Sequence, residues 1–205
     1  MLLHDQLKSF RVILASHSPR RRGLLYQAGI DYVLAEGYEV EECYPATLPA
    51  DEVPQYLAEL KSQAYPGALA PGDILITADT VVCLHGQIIG KPADRDDAVA
   101  ILSRLSGNRH TVVTGVTLRS AQKKLSFSAH SDVFFRELTR EEITYYIDTF
   151  RPFDKAGAYG IQEWIGSVGI TRIEGSFYNV MGLPIQQLYQ RLGEFARSLT
   201  EKGME

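Results

Sequence analysis

Residues 74–84 read Ile-Leu-Ile-Thr-Ala-Asp-Thr-Val-Val-Cys-Leu, a β-branched, apolar run broken by a single charge. A run of this kind is a strand covered on both faces, and such strands sit inside sheets that carry helices. The rest of the chain supplies both. Val12 to Ala15 reads as a first strand, followed by a helix with Ser18 as N-cap, Pro19 in its first turn and Gly29 at its end. Val53, Tyr56, Leu57, Leu60 and Ala64 recur as one face of a second helix. His85-Gly86 turns the central strand into a hairpin with Gln87-Ile88-Ile89. A third helix ends near Gly107, two strands cover 111–118 and 126–135, and Thr139 with Glu142 forms a capping box for a fourth helix. Further strand pieces are expected around Val168 to Ile170 and Phe177 to Met181, before a final amphipathic helix from Ile185. This alternation predicts an α/β fold. We read residues 1–10 as a leader, 11–197 as one domain and 198–205 as a polar tail.

The carboxylate inside that strand asks for an explanation. Burying Asp79 costs several kcal/mol unless it is paired, hydrogen-bonded or bound to metal. A second anomaly lies just after the first strand, where Arg20, Arg21 and Arg22 occupy a helix start that already carries partial positive charge. An arginine run is often a solvated turn, but a strand, a serine-rich turn and a helix N-terminus with arginines also make a phosphate site. On that reading the arginines gain their partner only from a ligand. Lys91 follows the hairpin. Pairing about His85-Gly86 sets it opposite Thr80, so Asp79 faces the other way. Residues 86–91 are not a P-loop, because one spacer is missing and no helix opens there. Asp154 to Gln162 is a glycine-dense turn whose Lys155, Tyr159 and Gln162 offer polar handles to a ligand.

Other chemistries lack their residues. The five histidines have no zinc spacing, and neither a G-x-S-x-G elbow nor a G-x-G-x-x-G fingerprint is present. Net charge is −4, which argues against bulk electrostatic binding to nucleic acid or an anionic membrane. Two distant cysteines and no bilayer-length apolar run predict a reducing, cytoplasmic location.

In order, LASHSPRR, EVEE, ADTVV, GKP, RLSGNRHTVVTGV, DKAGAYGIQ and GSFYNVMGLP resemble the Maf family over roughly residues 11–193. The resemblance implies an elongated, twisted mixed sheet flanked by helices, with two lobes around a cleft as in the inosine-triphosphatase group. It implies hydrolysis of a nucleoside triphosphate between its α and β phosphates, a divalent cofactor (Mg²⁺ or Mn²⁺), and a homodimer. Ser16, Arg20, Arg21, Lys91 and Lys155 become phosphate binders. Asp79 becomes the proton acceptor, a metal ligand or both. Glu42 is the second metal-site carboxylate, with Glu41 as the alternative. Arg20, Thr80 and Gln162 match the dTTP/UTP pyrophosphatase branch and are expected to converge on the base. Glu163 departs from the pattern, which usually has Gly there. A nucleotide-sensing regulator of cell division is the rival function, and a pure sensor gains nothing from a desolvated Asp79.

Overall fold

A computed structural model describes residues 2–200. It is an α/β fold: a seven-stranded mixed sheet in the order β2-β1-β3-β5-β6-β7, with β4 paired to β3. The strands are β1 (Arg11–Leu14), β2 (Val33–Leu34), β3 (Asp73–Leu84), β4 (Gln87–Ile89), β5 (Arg109–Arg119), β6 (Lys124–Phe135) and β7 (Ile170–Glu174). The helices are α1 (Leu3–Gln6), α2 (Pro19–Gln27), α3 (Val53–Ala64), α4 (Arg95–Leu105), α5 (Arg140–Phe150), α6 (Trp164–Gly169), α7 (Phe177–Val180) and α8 (Ile185–Thr200). Among the described residues no helix is long and apolar enough to cross a membrane.

Local signals build most of these elements. Ser18 caps α2 by accepting from the Arg21 N–H, with Pro19 in the first turn. Thr139 and Glu142 close the capping box of α5. The β3–β4 hairpin keeps the expected register, Val82 opposite Ile89 and Leu84 opposite Gln87. His85 and Gly86 both have positive φ, 50° and 77°, as a tight two-residue turn with the right twist requires.

Three expectations are corrected. Residues 177–180 are helical rather than extended, with Met181 at the C-cap, because the Ser176 hydroxyl caps the turn by accepting from the Asn179 N–H. Val168 and Gly169 end α6, and the strand starts only at Ile170. The buried face of α3 carries Val53, Pro54, Leu57, Ala58 and Ser62, while Tyr56 turns outward. The cause is Gly115 on β5: a Cβ there would stand 2.3 Å from the backbone at Pro54 and Gln55, so the helix rests directly on the strand. Residues 3–9 fold as α1 and a 3₁₀ turn, placing Leu3 and Leu7 in the core. Ser198 to Thr200 extend α8, and the remainder of the polar tail, 201–205, lies outside the described residues.

The sheet has a gap, and the gap positions the site. Strand β1 covers β3 only at residues 73–76, and β4 covers it only at residues 82–84. Between them the edge of β3 is open while its other edge stays paired with β5, Asp79 lying opposite Gly115. Two apolar cores flank the opening. One joins Ile74 and Ile76 to Leu25 of α2 and to Leu188 and Leu192 of α8. The other joins Val82 and Leu84 to Leu102 of α4 and Ile147 of α5. Each lobe thus has its own core, and a cleft lies between them.

Candidate active site

The cleft encloses about 940 Å³ and is lined by Ser16, Arg20, Arg21, Glu42, Asp79, Thr80, Lys91, Lys155 and Gln162, but not by Glu41 or Glu163. Alternation along β3 sends Thr77, Asp79 and Val81 toward α3, and Ala78 and Thr80 to the opposite face. On the α3 side, the Thr77 hydroxyl donates to the Ala58 carbonyl at 2.7 Å, fixing helix to strand. One turn further along, Lys61 Nζ meets Asp79 Oδ1 at 2.6 Å and Glu42 Oε1 at 2.6 Å. Lys61 was not among the residues singled out from sequence. Its signal was a charge eight residues after Val53, on the face that α3 buries.

Glu42, rather than Glu41, turns into this cluster and lines the cleft. Partial burial raises its pKa, but the hydrogen bond and charge of Lys61, with Lys91 and Arg21 beyond, outweigh that and hold it below the usual range. Asp79 is 8% exposed, and among the described residues its only protein partner is Lys61, so Oδ2 has none. No group of three His, Cys, Asp or Glu side chains forms a ready-made metal cage among the described residues. Two carboxylates drawn to one cation, one of them with a free oxygen, do fit a hard divalent ion that takes its other ligands from phosphate and water.

On the other face, Arg21 is not free. Its Nε–H donates to the Gly182 carbonyl at 2.8 Å, Nη1 to the Ala78 carbonyl at 2.8 Å, and Nη2 to the Thr80 hydroxyl at 3.0 Å. The expectation that the arginines find partners only in a ligand is corrected at this position. Ala78 O is an outward carbonyl of β3 within the gap, and the guanidinium takes the place of the missing strand. Thr80 is committed as well. Thr114 donates to the Asn179 carbonyl at 3.1 Å, so the Thr80 hydroxyl donates to Thr114, 2.9 Å away, while accepting from Arg21. Thr80 therefore braces Arg21 from the cleft wall, its hydroxyl hydrogen-bonded within the protein.

The remaining cations ring the opening. Ser16 Oγ accepts from the Ser18 N–H at 3.2 Å and shapes the turn before α2. Arg20 reaches Asp154 at 3.3 Å, and Lys155 is held by Asp154 at 2.8 Å and Glu163 at 3.2 Å. Lys91 is exposed and has no ion pair among the described residues. The β4 ladder stops at Ile89, which frees Lys91 from the pleat, and the Gly157 N–H donates to the Gly90 carbonyl at 3.0 Å to dock the 154–162 turn there. The Gln162 amide, exposed, has no hydrogen-bond partner among the described residues and lines the cleft.

Tyr159 completes the wall, and its hydroxyl shares a 2.7 Å hydrogen bond with buried His110. Burial pushes the His110 imidazole down to about 4, against the opposing charge of Asp132. The unfolded chain, with an ordinary imidazole near 6.5, therefore binds the extra proton first. Full stability is expected above about pH 6.5, with a loss of about 2–3 kcal/mol as pH falls toward 4. His110→Phe should flatten the melting temperature between those limits, which a calorimetric pH series checks.

A gapped mixed sheet with a desolvated carboxylate, flanked by cations from several separate elements, defines an α/β protein built to hold a polyanion. The chain belongs to the Maf family: the pattern described as Maf-like protein matches residues 11–195. It is 52% identical over 186 residues to a dTTP/UTP pyrophosphatase of Bacteroides thetaiotaomicron, covering 91% of this chain and 96% of that one. It is 48% identical over 191 residues to one of Parabacteroides distasonis, covering 93% and 99%. Among solved structures, a HAM1 protein from Coxiella burnetii is similar at a TM-score of 0.48 and 13% identity, over 90% of this chain and 99% of that one.

Proposed function

We propose that this chain hydrolyses pyrimidine nucleoside triphosphates, dTTP and UTP foremost, to the monophosphate and pyrophosphate. The observation that carries the reading is Asp79: a nearly buried carboxylate with one free oxygen, set in a gap of the sheet among cations that a triphosphate would neutralise. The named activity of the two similar pyrophosphatases supports the same reaction and the same bases. Asp79, with one oxygen fixed by Lys61, orients the attacking water and accepts its proton. Arg20, Lys91 and Lys155 balance charge on the phosphates as it moves toward the leaving pyrophosphate. Asp79 and Glu42 would hold Mg²⁺ or Mn²⁺, which neutralises phosphate oxygens when bound. Gln162 reads the base, since its amide can donate and accept against the alternating carbonyl and N–H groups of a pyrimidine edge.

The test is kcat/KM for dTTP, UTP, ATP, GTP and 7-methyl-GTP with Mg²⁺ or Mn²⁺. The two pyrimidine nucleotides are expected well above the purines, because a polar pocket rejects a wrong base by leaving its own groups unpaired. Gln162→Glu should reduce pyrimidine turnover more than it weakens pyrophosphate binding. A preference for 7-methyl-GTP would refute the base assignment and leave the reaction standing.

A further inference from the structure

Glu163 does not line the cleft, yet it touches what does. Its Oε1 lies 3.2 Å from Lys155 Nζ, and its Oε2 accepts from the Tyr146 hydroxyl of α5. The same Tyr146 oxygen accepts the Gly160 N–H at 2.9 Å. Gly160 has no room for a Cβ: the Gln162 amide nitrogen and the Glu163 carboxyl carbon would each stand 2.8 Å away. The carboxylate is therefore wedged behind the turn that presents Lys155 and Gln162 to the ligand.

Two carboxylates hold Lys155, and they are not equivalent. Asp154 is closer, but its side chain is 62% exposed, whereas that of Glu163 is 19% exposed and that of Lys155 only 10%. A pair open to water is screened and contributes little, while a pair shielded from water fixes geometry. An incoming phosphate can displace Asp154 from the ammonium, leaving Glu163 to hold it from behind. Tyr146 is fully buried and remains a donor, since burial, together with its bond to Glu163, pushes its hydroxyl well above the usual range.

We propose that Glu163 is a positioning residue, fixing the Lys155 ammonium with one oxygen and, with the other, accepting from the Tyr146 hydroxyl that in turn holds the Gly160 N–H. The inference rests on the reading of Lys155 as a phosphate contact. It makes a prediction of unusual sign. Removing a negative charge near an anion site should tighten anion binding if only bulk electrostatics mattered. Loss of positioning does the opposite.

The experiment is a double-mutant cycle of Glu163→Gln and Lys155→Met, read as pyrophosphate Kd by calorimetry and as kcat/KM for dTTP. Gln keeps the size and an acceptor for Tyr146, removes the charge and sets an NH2 donor where an oxygen faced the ammonium. Glu163→Gln should raise the pyrophosphate Kd about fivefold and lower kcat/KM for dTTP by about tenfold, and both effects should vanish in the Lys155→Met background. Tighter or unchanged pyrophosphate binding overturns the proposal, as does an effect that persists undiminished without Lys155. Should Glu163→Gln fail to fold, Glu163→Asp, which keeps the charge but cannot reach both partners, takes its place in the cycle with the same expected outcome. If the wild type releases no pyrophosphate from any nucleotide, the reaction assignment fails, while the pyrophosphate Kd still decides the role of Glu163.

Discussion

Asp79→Asn is expected to lower dTTP turnover by at least about two orders of magnitude with the fold intact. The substitution keeps shape and volume and removes the charge that would accept a proton or hold a metal. Stability should change little, because Lys61, the one hydrogen-bonding partner of the Asp79 carboxylate among the described residues, keeps Glu42 at 2.6 Å. The strand also stays anchored by Thr77 and Ala58 two residues earlier. The diagnostic pair of measurements is single-turnover hydrolysis and the melting temperature of the ligand-free protein. Near-wild-type turnover in a folded Asp79→Asn protein would sink the proposed role of this carboxylate. A tenfold loss only would point to an accessory part, with the proton going elsewhere.

The sequence made some of this site legible and concealed other parts, for identifiable physical reasons. Patterns that act within a few residues were readable. The capping box at Thr139 and Glu142, the Ser18 cap and the His85-Gly86 hairpin register are decided by neighbours along the chain, and all three are present. Features decided at long range were not. The gap beside Asp79 lies between the last residues of β1 and β4, Leu14 opposite Ile76 and Ile89 opposite Val82, and only long-range pairing decides where those strands stop. The face that α3 buries depends on Gly115, whose missing side chain lets Pro54 and Gln55 come down onto the strand. Lys61 is hidden for the same reason, because a helix face drawn through Tyr56, Leu60 and Ala64 leaves it at the margin. The helical turn at 177–180 reads as strand in the sequence because Phe, Tyr and Val favour strands locally, and the Ser176 cap wins over that preference.

Arg21→Ala should destabilise the ligand-free protein by about 2–4 kcal/mol, a fall of about 5–15 °C in melting temperature. This reverses what the arginine run alone predicts. A cation at a helix start needs negative charge nearby, and the sequence suggests an anionic ligand as its source. The structure supplies another source at Arg21, the carbonyls of Gly182 and Ala78, which lie 161 and 57 residues away in the chain. Alanine would leave both carbonyls and the Thr80 hydroxyl short of a donor at the open edge of β3, and solvent reaching through the cleft would restore only part of that loss. Lysine cannot substitute, since one ammonium does not span three acceptors set out for a planar fork. Arg20 is the control. Its partner Asp154 lies at 3.3 Å with a 62% exposed side chain, so Arg20→Ala should leave the melting temperature nearly unchanged and act on nucleotide binding. Scanning calorimetry of Arg20→Ala, Arg21→Ala and Arg21→Lys without ligand separates the two roles. An unchanged melting temperature for Arg21→Ala would mean that its guanidinium is held for the phosphates after all, and that the gap in the sheet needs no brace.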